Sequence, residues 1–224
     1  MGAVPLSAIT KTLRELQQDQ QLSLDFLEVS APEVKPLLQG IPKGAITEIF
    51  GASSSGKSTL MHTLLASAVQ AGEFCTLVDA SDRFDPGVAE DAGVDLKRLL
   101  WVRCKGKLEH AIQATDMLLH GGGWGMVVLD LGDIAPAMVR KLPLSYWYRF
   151  RRAVENTSTS FVVVEREPFV RACASLAIEM RQSEPVWRGT HPDFRVLEAA
   201  AVQVSPKKPA RAGGKFLAST RLTA

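Results

Sequence analysis

Residues 46–59, Ile-Thr-Glu-Ile-Phe-Gly-Ala-Ser-Ser-Ser-Gly-Lys-Ser-Thr, constrain the fold more than any other stretch of the chain. The apolar run 45–50 predicts a short buried strand that breaks at Gly51, and Gly56-Lys57-Ser58 opens a helical run over 57–71. Residues 51–58 therefore fit G-x-x-x-x-G-K-[ST] between a strand and a helix, the setting a phosphate-binding loop requires. Glycines let successive backbone N–H groups turn inward on an anion, and the helix N-terminus adds partial positive charge. This predicts a nucleoside triphosphate held by Gly51, Ser53, Ser54, Ser55, Gly56, Lys57, Ser58 and Thr59. Lys57 would reach the β- and γ-phosphates, and the Ser58 hydroxyl would ligate Mg²⁺.

The 224 residues suffice for one well-buried domain with a small appendage. A net charge of +2 is too small to argue for a nucleic-acid partner, so that case rests on local clustering. No apolar stretch approaches the ~20 residues that span a bilayer, so no membrane partner is expected. The N-terminus carries no basic region followed by an apolar one, and Leu6 argues against myristoylation at Gly2. Cys75, Cys104 and Cys173 are scattered and odd in number, and read as reduced core thiols of a cytoplasmic protein. His62, His110, His120 and His191 have no metal-ligand spacing.

Along the chain, residues 6–18 place Ile9, Leu13 and Leu16 at helical spacing, and 19–40 read as a loop-rich connector. After the 57–71 helix, with Gly72 as its stop, strands are expected at 74–79, 99–102, 126–131 and 161–164. A short helix after Asp85-Pro86, a second at 108–119 and a third at 146–155 separate them. Strands apolar on both faces, alternating with amphipathic helices, predict an α/β fold with a mostly parallel sheet covered on both sides. Beyond residue 170, Leu176, Ile178 and Met180 alternate with polar neighbours, as do parts of 194–204, and read as appended antiparallel strands. This gives three units: 1–40, a helix and connector; 41–204, the nucleotide-binding core; and 205–224, a basic tail or edge strand.

The run Met-Val-Val-Leu-Asp-Leu at 126–131 fits a Walker-B strand, expected beside the strand of the phosphate loop, with Asp130 holding Mg²⁺ opposite Ser58. The alternative is a buried strand ending in a capping Asp. Taken together, Gly44-x-x-x-Glu48-Ile49-x-Gly51, the loop, Asp79-Ala80, Asp85-Pro86 and Gly93-Val94-Asp95 resemble the ATPase core of the RecA recombinases over residues 40–182. The resemblance implies a RecA-like fold, ATP with Mg²⁺ and work in DNA repair. The departures are specific. Ser81 stands where the family carries the glutamate that positions the attacking water, and Val88 where an aromatic residue stacks on adenine. Glu165-Arg166 replaces the Asn-Gln pair whose Gln senses the γ-phosphate, and both DNA-binding loops look short. Little or no hydrolysis is therefore expected unless Glu165, Asp82 or a partner supplies the missing base.

A RecA-type core with an intact phosphate loop, lost catalytic groups and a basic extension is similar to the ImuA group, which accompanies translesion polymerases in bacteria. SulA-type proteins, also similar, lack the phosphate loop. The ImuA resemblance implies a role in the SOS response and two partners, a RecA-type recombinase and an ImuB-type, polymerase-like protein. The rival is a DNA-stimulated ATPase or short recombinase acting on single-stranded DNA; a small-molecule kinase is weaker because no substrate lid is visible. Candidate contacts are Arg149, Arg151 and Arg152, interleaved with Tyr146, Trp147, Tyr148 and Phe150. These either stack on nucleic acid or form a helix with Trp147, Phe150 and Val154 buried. Lys207, Lys208 and Arg211 either touch phosphates or belong to a solubilising tail. Ile9, Leu13 and Leu16 either dock on a partner or fold back on the domain.

Overall fold

A computed structural model of the protein describes residues 25–38, 40–188, 196–210 and 212–219. The expected helix bearing Ile9, Leu13 and Leu16, and the tail residue Arg211, lie outside the described residues. The first described pairing is a two-residue hairpin, β1 (Phe26–Leu27) antiparallel to β2 (Ile41–Pro42). The connector between them packs inward: Leu27, Val29, Val34 and Leu38 join Ile49 and Leu60 in one apolar cluster.

The centre is an eight-stranded sheet. Its strands are β3 (Ala45–Phe50), β4 (Cys75–Asp79), β5 (Leu99–Arg103), β6 (Met126–Asp130), β7 (Ser160–Glu165), β8 (Ala174–Arg188), β9 (Val196–Lys208) and β10 (Gly214–Ser219). They lie in the order β10-β9-β8-β3-β7-β6-β4-β5. The helices are α1 (Lys57–Gln70), α2 (Pro86–Asp91), α3 (Leu108–Gly121), α4 (Pro136–Val139) and α5 (Leu144–Val154). Local sequence accounts for their ends. Gly72 adopts φ 87° just past α1 and Gly122 φ 66° just past α3, backbone that side chains with a Cβ resist. The Asp85 carboxylate caps α2 by accepting from the N–H groups of Gly87 and Val88. The wholly buried strand β7 has no polar face because both sides of the sheet are covered, by an apolar cluster with α1 on one and with α3 and α5 on the other.

Two expectations are corrected. The 126–131 strand is not next to the strand of the phosphate loop: β7 lies between β3 and β6, pairing parallel with both. Sequence carries no signal for that order, because all three strands are equally apolar. The strand containing Leu176, Ile178 and Met180 is not antiparallel to the core either. β8 runs parallel to β3, and antiparallel pairing begins only between β8 and β9 and continues to β10. A register shift after Ile46 leaves Ser175 out of the ladder and marks the seam.

Candidate nucleotide site

The carboxyl ends of four neighbouring parallel strands carry every core residue singled out above. β3 leads into 51–58, β7 ends at Glu165-Arg166, β6 at Asp130 and β4 at Asp79. Backbone bonds hold the ends level: Gly51 N–H donates to the Glu165 carbonyl (3.2 Å), Leu131 to Val164 (2.8 Å) and Ala80 to Asp130 (3.1 Å). Ligands of open α/β sheets collect at such an edge.

The loop is clamped from outside by the appended strands. A Cβ on Gly51 would come within 2.2 Å of the Met180 carbonyl on β8, and one on Gly56 within 2.7 Å of Val202 on β9. Gly56 also adopts φ 85° as the residue preceding α1, and Ser54 takes a left-handed φ of 59°. The curl of 51–56 thus owes its shape to β8 and β9 as much as to its own glycines.

Lys57 is buried, and its ammonium donates to the carbonyls of Gly51 and Ala52 (both 2.6 Å) and to Ser55 Oγ (3.3 Å). Burial lowers its pKa, opposed by the Asp130 charge and reinforced by the Arg166 charge. Asp130 is half-buried, and Gly132 N–H donates to its Oδ1 at 2.8 Å. Burial pushes its carboxyl up to about 6, with Asp79 and Asp133 adding to the rise and Lys57 countering it. Ser58 is exposed at the first turn of α1 and Thr59 is half-buried. The donor set suits a nucleotide and Mg²⁺: a buried ammonium inside a loop no Cβ can enter, one hydroxyl and one carboxylate. Mg²⁺ is ordinarily held by one or two protein oxygens together with phosphates. Ser58 and Asp130 would hold the metal, which supplies charge neutralisation of the phosphates.

The other half of the edge is arranged differently. Asp79 is fully buried and its carboxylate is consumed by structure. Oδ1 accepts from the N–H groups of Ser81 (3.1 Å) and Asp82 (2.7 Å), and Oδ2 from Phe84 N–H (2.9 Å) and Trp101 Nε1 (3.3 Å). Phe84 packs edge-on between His62 and Trp101, fixing the 80–85 turn. Ser81 presents a hydroxyl and no carboxylate at this turn. Asp82 is bound in a bidentate ion pair by Arg103 (2.6 and 3.0 Å). Glu165 points into the core, where its Oε1 accepts from Phe169 N–H (3.0 Å) and Glu48 Oε1 accepts from Val170 N–H (2.7 Å). Burial, then a hydrogen bond to Glu48, push its carboxyl well above the usual range. Neither Glu165 nor Asp82 is placed to act as the missing base. Val88 is exposed on α2.

Comparison with known proteins places the chain. Residues 15–141, more than half of its length, match the family model of the RecA N-terminal domain. The chain belongs to that family. It is 42% identical over 91 residues to Protein RecA of Rickettsia canadensis (strain McKiel), covering 41% of this chain and 26% of that protein. It is 30% identical over 141 residues to Protein RecA of Rhizobium rhizogenes (strain K84 / ATCC BAA-868), 57% and 39% of the two lengths. Protein RecA of Brucella canis is 36% identical over 116 residues, covering 51% and 32%. The match thus spans between a quarter and two fifths of these relatives. Asp79, Ser81 and Asp130 fall inside the family match, whereas Glu165-Arg166 and strands β7 to β10 lie beyond it.

The remaining candidates are placed away from the loop. Trp147, Phe150 and Val154 face the core from α5, leaving Tyr148, Arg149, Arg151 and Arg152 exposed. Arg149 is paired with Asp116 of α3 (2.5 Å). Lys207 pairs with Glu179 (2.9 Å), and Lys208 donates to the carbonyls of Ala172 and Ala174. Sequence reasoning missed Asp79 as the hub of the 80–85 turn and Asp133 as a partner of Arg166. The run of turn residues after Asp79 was the available signal for the first. Among the described residues, no helix is long and apolar enough to cross a membrane.

Proposed function

We propose that this chain binds ATP with Mg²⁺ through Gly51, Ser53 to Thr59 and Asp130, turns it over slowly or not at all, and works by contacting other proteins. The partners we assign are a RecA-type recombinase and an ImuB-type, polymerase-like protein of the bacterial damage response and translesion mutagenesis. One observation carries the reading. The phosphate half of the site keeps its donors, while each carboxylate near the hydrolytic position is engaged elsewhere: Asp79 by four donors, Asp82 by Arg103, Glu165 in the core. Losing a positioned base costs roughly 10²–10⁴-fold in rate. A nucleotide that is held and not spent suits an adaptor. The partner surface we favour is the segment with Ile9, Leu13 and Leu16.

The rival, direct ATP-driven action on single-stranded DNA, draws on exposed Tyr148, Arg149, Arg151 and Arg152, an aromatic-and-cation set suited to stacking and phosphate contact. Phosphate release measured with and without single-stranded DNA separates the two. The adaptor predicts turnover near background in both conditions. Vigorous DNA-stimulated turnover abolished by Asp130→Ala establishes the rival. Recovery of recombinase in a pull-down, reduced by Leu13→Asp, tests the partner assignment; equal recovery removes the segment from the interface.

A further inference from the structure

We infer that Arg166 is a latch between the phosphate loop and the segment after β6, shared in competition between Asp133 and the terminal phosphate of a bound nucleotide. This deepens the nucleotide-binding reading above and rests on it.

Arg166 stands at the root of the loop, because the residue before it, Glu165, accepts the Gly51 N–H through its carbonyl. It lines a cleft of about 550 Å³ together with Gly51, Ala52, Ser53 and Ser55. Its charge reaches Lys57, whose pKa it helps to lower. Two cations thus converge on the place where the loop would set phosphate oxygens. They differ in what holds them. Lys57 is buried and gripped by two loop carbonyls at 2.6 Å. Arg166 is about one-third exposed and crosses to the neighbouring strand end, donating from Nε to the Gly132 carbonyl (2.9 Å) and from a terminal nitrogen to Asp133 Oδ1 (3.4 Å). Gly132 in turn is fastened to Asp130. Arg166 therefore spans from the phosphate loop to the metal-ligand candidate.

Magnitudes decide the competition. Asp133 is half exposed, and an exposed ion pair at this distance is worth up to about fivefold in an equilibrium. A guanidinium on a phosphate oxygen in a cleft makes a charge-assisted bond worth about tenfold or more. Arg166 carries five N–H donors and spends two here, so a phosphate is reached by a modest swing. A triphosphate takes Arg166 from Asp133 and frees residues 132–134. A diphosphate, lacking the outermost group, leaves the tie in place.

Calorimetry with magnesium AMP-PNP and magnesium ADP tests this on the full chain, alongside melting curves and amide exchange over 131–135. The wild type is expected to prefer AMP-PNP. Arg166→Ala should lose about tenfold for AMP-PNP and little for ADP. Asp133→Asn should gain severalfold for AMP-PNP alone, a change of opposite sign. Exchange at 132–134 should rise with AMP-PNP in the wild type and stay unchanged in Arg166→Ala. An unaltered AMP-PNP-to-ADP ratio in Arg166→Ala overturns the latch and leaves nucleotide binding standing. Wild type that binds neither ligand overturns the nucleotide reading, and the latch with it. If Arg166→Ala fails to fold, absence of a gain in Asp133→Asn overturns the latch.

Discussion

The phosphate half and the hydrolytic half of this strand edge are built from the same kinds of residue and differ in what those residues are left to do. Around 51–58 the chain holds space open: Gly51 and Gly56 leave room that β8 and β9 would otherwise close, and Lys57 rests on carbonyls it can exchange for an anion. Around 79–85 and 165–170 the polar groups are spent on the chain itself. Asp79 closes a turn, Asp82 holds Arg103, and Glu165 with Glu48 ties down the backbone at Phe169 and Val170. A carboxylate that satisfies buried N–H groups is costly to withdraw and so is a poor base. Binding and turnover are thus separable in this fold, because they draw on opposite ends of the same edge.

The sharpest attack on that contrast is at Gly51. Its Ala variant forces a methyl group onto the Met180 carbonyl, so β8 and the loop must part. We expect a loss of about 3 kcal/mol or more in stability together with loss of nucleotide binding, checked by denaturant titration and calorimetry. Asp79→Ala strips the acceptor from four donors and should cost about 2–4 kcal/mol. If the two halves are independent, nucleotide affinity survives in whatever fraction remains folded; a matching loss of affinity would join the halves.

Glu165→Gln probes the buried pair through pH. The folded-state pKa of Glu165 is raised, so its stabilising contribution is full below the unfolded value of 4.5 and is lost as pH rises through the folded one. Gln keeps an acceptor for Phe169 and cannot ionise. The variant should therefore match the wild type in acid and melt progressively higher than it as pH rises. A constant gap across pH would deny the ionisation. The smallest effect is expected at Asp130. Its carboxyl is raised from 3.8 to about 6, so wild-type stability should fall as pH climbs across that window and level off above it. Asp130→Asn should gain about 1 kcal/mol at pH 8 and nothing at pH 4, after discounting for its contact with solvent. The same change should weaken magnesium-dependent nucleotide binding, a residue kept against stability.

Much of this was legible in the chain because it is local chemistry. The glycines and lysine of 51–58, the stop at Gly72, the cap at Asp85 and the apolar period of β4, β6 and β7 all follow from backbone preferences and neighbouring residues. So did the buried face of α5, whose Trp147, Phe150 and Val154 recur at helical spacing. Strand order did not follow, since equally apolar strands give no preference for which lies beside which, and β7 entered between β3 and β6. The direction of β8 was hidden for the same reason: alternation reports one exposed face, not parallel or antiparallel pairing. What became of each charged residue was decided only in three dimensions. Sequence by itself determined that a phosphate-binding loop opens a RecA-type core. Only the tertiary structure decided that Asp79, Asp82 and Glu165 are bound inward while Lys57, Asp130 and Arg166 face one cleft edge, because a side chain's partners come from strands far away in sequence.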